Sequence, residues 1–212
     1  MTADRETLEV YNARAGDYAQ TMGRDPAATA SLQAFVARLP KGGRVLDLGC
    51  GPGSWAQAML EMGFEVEATD ASDAMVAEAS KVEGLKVRKA VFEDIDDVAR
   101  YEGIWANFSL LHAPRAAMPG HLARLHRALK PGGVLHIGLK EGTGEKRDRL
   151  GRFYTYYTVA ELTGLLAALD MVTDDLREGA DKGLDGEVAG WFTLTARKIL
   201  PDADTDPDTE TA

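Results

Sequence analysis

Val45-Leu46-Asp47-Leu48-Gly49-Cys50-Gly51-Pro52-Gly53 is the stretch on which the fold turns. Residues 44–48 read as a first strand, and three alternating glycines then break it. A helix is predicted from Ser54 to about Met62. Glycines between a strand and a helix let the backbone take positive φ and approach a ligand closely. Dinucleotide folds use a similar loop, so the glycines alone do not choose the ligand. Asp47 does more. A carboxylate just before the loop repels a pyrophosphate and favours a ligand that carries positive charge.

The same alternation continues outward. Residues 65–69 alternate in polarity as a second strand, and Ser72 is placed to cap a helix running to about Lys81. Strands are predicted at 85–89, 104–108 and 134–139. A helix bearing Leu122, Leu125 and Leu129 precedes the last of these and stops at Lys130-Pro131-Gly132-Gly133. Thr158 and Glu161 form a capping box ahead of Leu162, Leu165, Leu166 and Leu169. Two late strands are expected at 171–176 and 191–196. Two helices precede the first strand, one with Leu8, Tyr11, Tyr18 and Met22 on a face, the other with Leu32, Phe35, Val36 and Leu39. Such alternation predicts an α/β fold: a doubly wound, mostly parallel sheet with helices on both faces. The ligand crevice then lies beyond the carboxyl ends of the strands. One domain is expected over 1–200, with the helices of 1–40 closing the site.

The balance of 45% hydrophobic and 27% charged residues is that of a globular protein. The net charge of −10 argues against a general nucleic-acid binder, which needs a basic surface. Asp202, Asp204, Asp206, Asp208 and Glu210 make 201–212 an acidic segment expected to be disordered. Without it the body is still acidic. No apolar run is long enough for a membrane span, and the first residues lack a signal-peptide layout, so the cytoplasm is the expected location. A single cysteine, Cys50, excludes an internal disulfide, and no histidine pair has metal-ligand spacing, so no metal is expected.

The loop, the Thr69-Asp70-Ala71-Ser72 segment with Met75, Ser109-Leu110-Leu111-His112 and Lys130-Pro131-Gly132-Gly133 together resemble class I S-adenosylmethionine (SAM)-dependent methyltransferases. The closest general likeness is to small-molecule enzymes of the tellurite-resistance and ubiquinone-biosynthesis type. The resemblance implies a Rossmann-like sheet of seven strands whose last strand inserts antiparallel. It implies SAM as cofactor, with S-adenosylhomocysteine (SAH) as product. SAM carries an ammonium and a sulfonium and no phosphate, which suits Asp47. Gly49, Gly51 and Gly53 would shape the methionine end, Asp70 would hold the ribose, and Ala71 and Met75 would pack on the adenine. Phe92 and Glu93 would lie at the adenine edge, the Phe92 amide standing in where Val91 departs from the family's usual aspartate. Asn107 would line the donor site, with Tyr11 and Tyr18 closing over it.

Methyl transfer needs a base only when the acceptor must first lose a proton. His112, after the fourth strand, is the candidate for that role, with Tyr18 beside the reacting centre. His121 and His126 are expected to be ordinary helix residues and His136 a core histidine. The segment 140–157, KEGTGEKRDRLGRFYTYY, is long enough to be a lid. Its Lys140, Arg149, Arg152 and Tyr156, with Arg115, are candidates to hold the acceptor. Arginines suit a carboxylate or phosphate, and aromatics a flat or apolar molecule. The expected partner is thus a small molecule, with no nucleic acid and no membrane; the oligomeric state is left open. A SAM- or SAH-binding sensor without catalysis is the alternative. A nucleotide-dependent oxidoreductase is disfavoured by Asp47.

Overall fold

The computed structural model describes residues 3–21 and 29–200. Met22 and the acidic segment 201–212 lie outside them. Seven strands form one sheet in the order β3-β2-β1-β4-β5-β9-β8. These are β1 (Arg44–Leu48), β2 (Glu65–Asp70), β3 (Lys86–Lys89), β4 (Tyr101–Asn107), β5 (Leu129–Lys140), β8 (Met171–Lys182) and β9 (Val188–Lys198). β1 through β5 pair in parallel. β9 runs antiparallel between β5 and β8, as the resemblance implies.

Helices cover both faces. On one, α5 (Met118–Ala128) and α6 (Val159–Ala167) place Leu122, Leu125, Leu162 and Leu166 against Leu46, Ile104 and Ile137. On the other, α2 (Ala30–Val36), α3 (Ser54–Glu61) and α4 (Asp73–Ala79) bury Phe35, Met59 and Ala79 against Val45, Ala68 and Trp105. α1 (Arg5–Thr21) lies across the carboxyl ends of the strands, and its backbone leaves helical geometry at Arg14. Its Asn12 Oδ1 accepts from Ser72 Oγ and the Ala74 amide, which ties α1 to the start of α4.

Three readings of the sequence need correction. Leu129 is not on α5; the helix ends at Ala128 and Leu129 already pairs with Tyr101 across the sheet. The late strands are a long hairpin, because cross-strand hydrogen bonds carry β8 through polar residues 177–182 that show no apolar alternation. Segment 140–157 is not a plain loop. It folds into a second hairpin, β6 (Glu145–Arg147) against β7 (Phe153–Thr155).

Candidate active site

The glycine loop leaves β1 and turns back on β2. Gly49 and Cys50 amides both donate to Thr69 O, at 2.8 and 2.9 Å. Gly49 sits at φ +71°, and a Cβ there would lie 2.4 Å from Ser109 Cβ. No other residue fits that turn. The Gly51 amide donates to Asp70 Oδ2 (2.9 Å) and the Ser72 amide to Oδ1 (2.8 Å). Asp70 is therefore held in place with lone pairs to spare on each oxygen. Burial raises its pKa, tempered by those amide bonds. Ser72 caps α4 by accepting from the Met75 amide, as expected.

A cleft of about 1020 Å³, counted to its open mouth, runs along these ends. Gly49, Gly51, Asp70, Ala71, Met75, Phe92, Glu93, Asn107, Tyr11, Tyr18 and His112 all line it, so most of the expected cofactor and reaction residues converge. Two do not line it. Gly53 caps α3 at φ +88° and packs on Ala79 instead. Asp47 is buried beneath the loop, and its Oδ2 has no hydrogen-bond partner. Burial, and then the neighbouring Asp70 carboxylate, push the Asp47 pKa up to about 8.

Beyond β4, Phe108 takes φ +56°, unusual for a bulky residue and a sign of stored backbone strain at a site. Asn107 Oδ1 takes a bond from His136 Nε2 (3.2 Å), and its place depends on Gly138, where a Cβ would come within 2.6 Å of that oxygen. His136 itself is a core residue, stacked on Trp105 with ring centres 3.7 Å apart. His112 Nδ1 lies 2.6 Å from Phe153 O, so this nitrogen carries the proton and donates. Nε2 is then the lone-pair nitrogen, and it accepts from the Tyr11 hydroxyl at 2.8 Å. Burial holds the His112 pKa down, to about 4, so the ring is neutral. Tyr18 stands edge-on to Tyr11, ring centres 5.9 Å apart, over the Gly51 turn.

Of the proposed acceptor-binding residues, Lys140 and Arg152 share the Tyr154 ring beside His112, and the others lie apart from them. Arg149 is 73% exposed and pairs with Glu187. Arg115 is held by Glu161 and by the Tyr156 carbonyl, over the Tyr157 ring. Lys140 stands on the Tyr154 ring, 4.2 Å from its centre, and Tyr156 lies under Lys146. Arg152 is buried and paired with Asp148 at 2.7 Å, although its Nη1 reaches the Tyr11 hydroxyl at 3.3 Å. Carboxylates thus claim Arg115 and Arg149, whereas Lys140 and Arg152 stay close to His112 and Tyr11.

His121 is the residue the sequence reading passed over. It is buried, packs against Phe92 with ring centres 5.4 Å apart, and lines the far end of the cleft beside Glu93. Its side of α5 was legible from the Leu122 and Leu125 stripe, but what that side faces was not. Ser109 is another. Its Oγ is buried without a partner beside Gly49.

Parallel strand order, an antiparallel insert and a glycine loop beside a paired aspartate define the class of SAM-dependent α/β methyltransferases. The residues present fit that cofactor. Two orphaned polar atoms, Asp47 Oδ2 and Ser109 Oγ, flank the glycine loop, and Asp70 and the Met75–Phe92 wall lie beyond it. The chain belongs to the family described as "Methyltransferase domain", which matches residues 18–165. It is 35% identical over 111 residues to a malonyl-[acyl-carrier protein] O-methyltransferase of Enterobacter lignolyticus, covering 50% of this chain and 43% of that protein. It is also 35% identical over 133 residues to a trans-aconitate 2-methyltransferase of Variovorax paradoxus, covering 58% and 49%. The matches thus span less than half the length of these curated relatives. Among solved structures, 1,6-didemethyltoxoflavin-N1-methyltransferase of Burkholderia thailandensis, with bound 1,6-didemethyltoxoflavin and SAH, superposes with TM-score 0.73 and 25% identity over 94% of this chain and 92% of that one. Among the described residues, no helix is long and apolar enough to cross a membrane, and no cluster of side chains could hold a metal ion.

Proposed function

We propose that this protein transfers a methyl group from SAM to a small-molecule acceptor. The observation that carries this is Asp70. Its carboxylate is fixed by two backbone amides at the edge of a glycine loop, in a cleft that continues to His112 and Tyr11. When bound, SAM supplies a methyl group on a sulfonium, activated toward direct displacement. The chain's own residues do the rest. Asp70 accepts from ribose hydroxyls, Met75 and Phe92 hold the base, and Asn107 and Tyr18 border the reacting centre. His112 offers a neutral, oriented Nε2 that accepts from the Tyr11 hydroxyl, so a proton leaving the acceptor would reach it through Tyr11.

Calorimetric titration with SAH and, separately, NADH tests the cofactor. Micromolar binding of SAH alone is expected. Asp70→Ala should weaken it by about 10- to 100-fold, the loss of one or two hydrogen bonds to a charged group. Unchanged affinity in that variant removes Asp70 from the ribose role. SAH binding with no turnover on any acceptor leaves a sensor.

A further inference from the structure

Resting on the SAM reading above, we infer that Lys140 anchors an anionic group of the acceptor, so that the protein takes a small molecule bearing a carboxylate. Lys140 ends β5, opposite Trp191 on β9. Side chains alternate along a strand, so it leaves on the face of Gly138, where a Cβ would meet Asn107 and the Phe108 ring. Trp191 shares that face and stands edge-on to Phe108, ring centres 6.2 Å apart. Asn107 and Phe108 line the cleft, which places Lys140 just outward of its wall. Lys140 Nζ lies 4.2 Å from the centre of the Tyr154 ring, and that ring is 4.7 Å from the ring of His112. The ammonium therefore stands at the acceptor end of the cleft.

What singles Lys140 out is that its charge is unmatched. Arg152 shares the Tyr154 ring, 5.2 Å from its centre, but is paired with Asp148, and both are 3% exposed. Of the carboxylates that line the cleft, Asp4 is taken by Arg147, and Asp70 and Glu93 lie at the cofactor end. Among the described residues, no carboxylate pairs with Lys140. Asp148 and Asp185 act on it only from a distance, and Asp185 accepts from the Glu187 amide at 3.2 Å. Burial lowers the Lys140 pKa, as it does for an ammonium drawn partly out of water. The Tyr154 face offsets that cost only in part and accepts no ordinary hydrogen bond. Three N–H donors are left without an acceptor among the described residues, and Nζ is not one of the sealed-in polar atoms. An entering carboxylate supplies both the opposite charge and the missing lone pairs. Phe108 and Trp191 offer flat apolar surface beside it for the rest of the molecule. The arginines that suit an anion are paired within the fold, and the lysine next to them is left to recognise it.

2-Naphthoate and 2-naphthamide share a ring system and a carbonyl and differ in charge. Each is titrated at pH 7, by ligand-observed NMR, into the SAH-loaded protein. 2-Naphthoate should bind about tenfold tighter, the worth of a hydrogen bond to a charged group, and added salt should narrow the gap. Lys140→Gln should abolish the preference and Lys140→Arg should keep most of it, both with SAH affinity within about twofold of the wild type. Equal binding of the two probes, a preference that survives in Lys140→Gln, or no binding of 2-naphthoate to protein that holds SAH overturns the inference. Failure to hold SAH at all strikes the SAM reading, and the acceptor site with it.

Discussion

Asp47 is a carboxyl group with nowhere to put its charge. It lies under the glycine loop with one oxygen unpartnered, and burial together with Asp70 lifts its pKa to about 8. In the free protein it is therefore mostly protonated at pH 7. A ligand ammonium held at the loop favours the ionised form and lowers that pKa. The sign follows. Binding expels a proton at any pH between the lowered and the free value, so affinity rises with pH up to about 8 and levels off above it. The slope is at most about tenfold per pH unit for one proton. Titration of SAH at pH 7 in phosphate and in Tris reads the proton directly, since the observed heat should differ between buffers. Asp47→Asn should bind with the same heat in both. Identical heats in the wild type would mean that Asp47 is not coupled to the ligand.

At the level of elements, the site is roofed by two pieces that hold each other. Thr7 Oγ1 accepts from the Phe153 amide at 2.8 Å, Arg147 grips Asp4 at 2.8 Å, and Arg152 reaches Tyr11. α1 and the β6–β7 hairpin thus close as a unit, keyed by the buried Arg152–Asp148 pair. Removing one partner of such a pair costs about 3–5 kcal/mol, because the other charge is left buried alone. Asp148→Asn is expected to loosen both pieces together. Hydrogen exchange should quicken in α1 and in β7 while β1 and β2 keep their protection; faster exchange confined to the hairpin would show that the two pieces are not coupled. This roof also marks where the sequence stopped being readable. The glycine loop, Ser72 and the Thr158–Glu161 box are local signals, each decided by residues within a few positions. Pairing of Glu145 with Thr155 is set by a distant partner and has no period of its own. The same holds for Arg115 and Arg149. Their charge was plain, but the carboxylates Glu161 and Glu187 that claim them are set by the fold.

Across the whole molecule the buried ionisable groups pull stability in opposite directions. His112 and His136 are neutral in the fold, with pKa values held by burial at about 4 and about 3 against an ordinary 6.5. His121 and His126 are lowered in the same way. The unfolded chain protonates these rings first, so their contribution is full above pH 6.5 and is lost as pH falls toward the folded values. Asp47 has the reverse sign. Its folded value of about 8 lies above the ordinary 3.8, so the fold holds a proton that the unfolded chain has released. That contribution is full below pH 3.8 and is lost as pH rises through 8, and Asp70, also raised, adds to it. Below pH 6.5 the four histidines outnumber the two carboxyls, and above it only the carboxyls still titrate. The ligand-free protein should therefore be most stable near pH 6.5 and lose about 1 kcal/mol per pH unit between there and 8. Urea unfolding at pH 5, 6.5 and 8 measures both limbs. Asp47→Asn should flatten the upper limb and leave the lower one intact. Stability that instead keeps climbing through pH 8 would mean that Asp47 is already ionised in the free protein, and the proton expected on ligand binding would vanish with it.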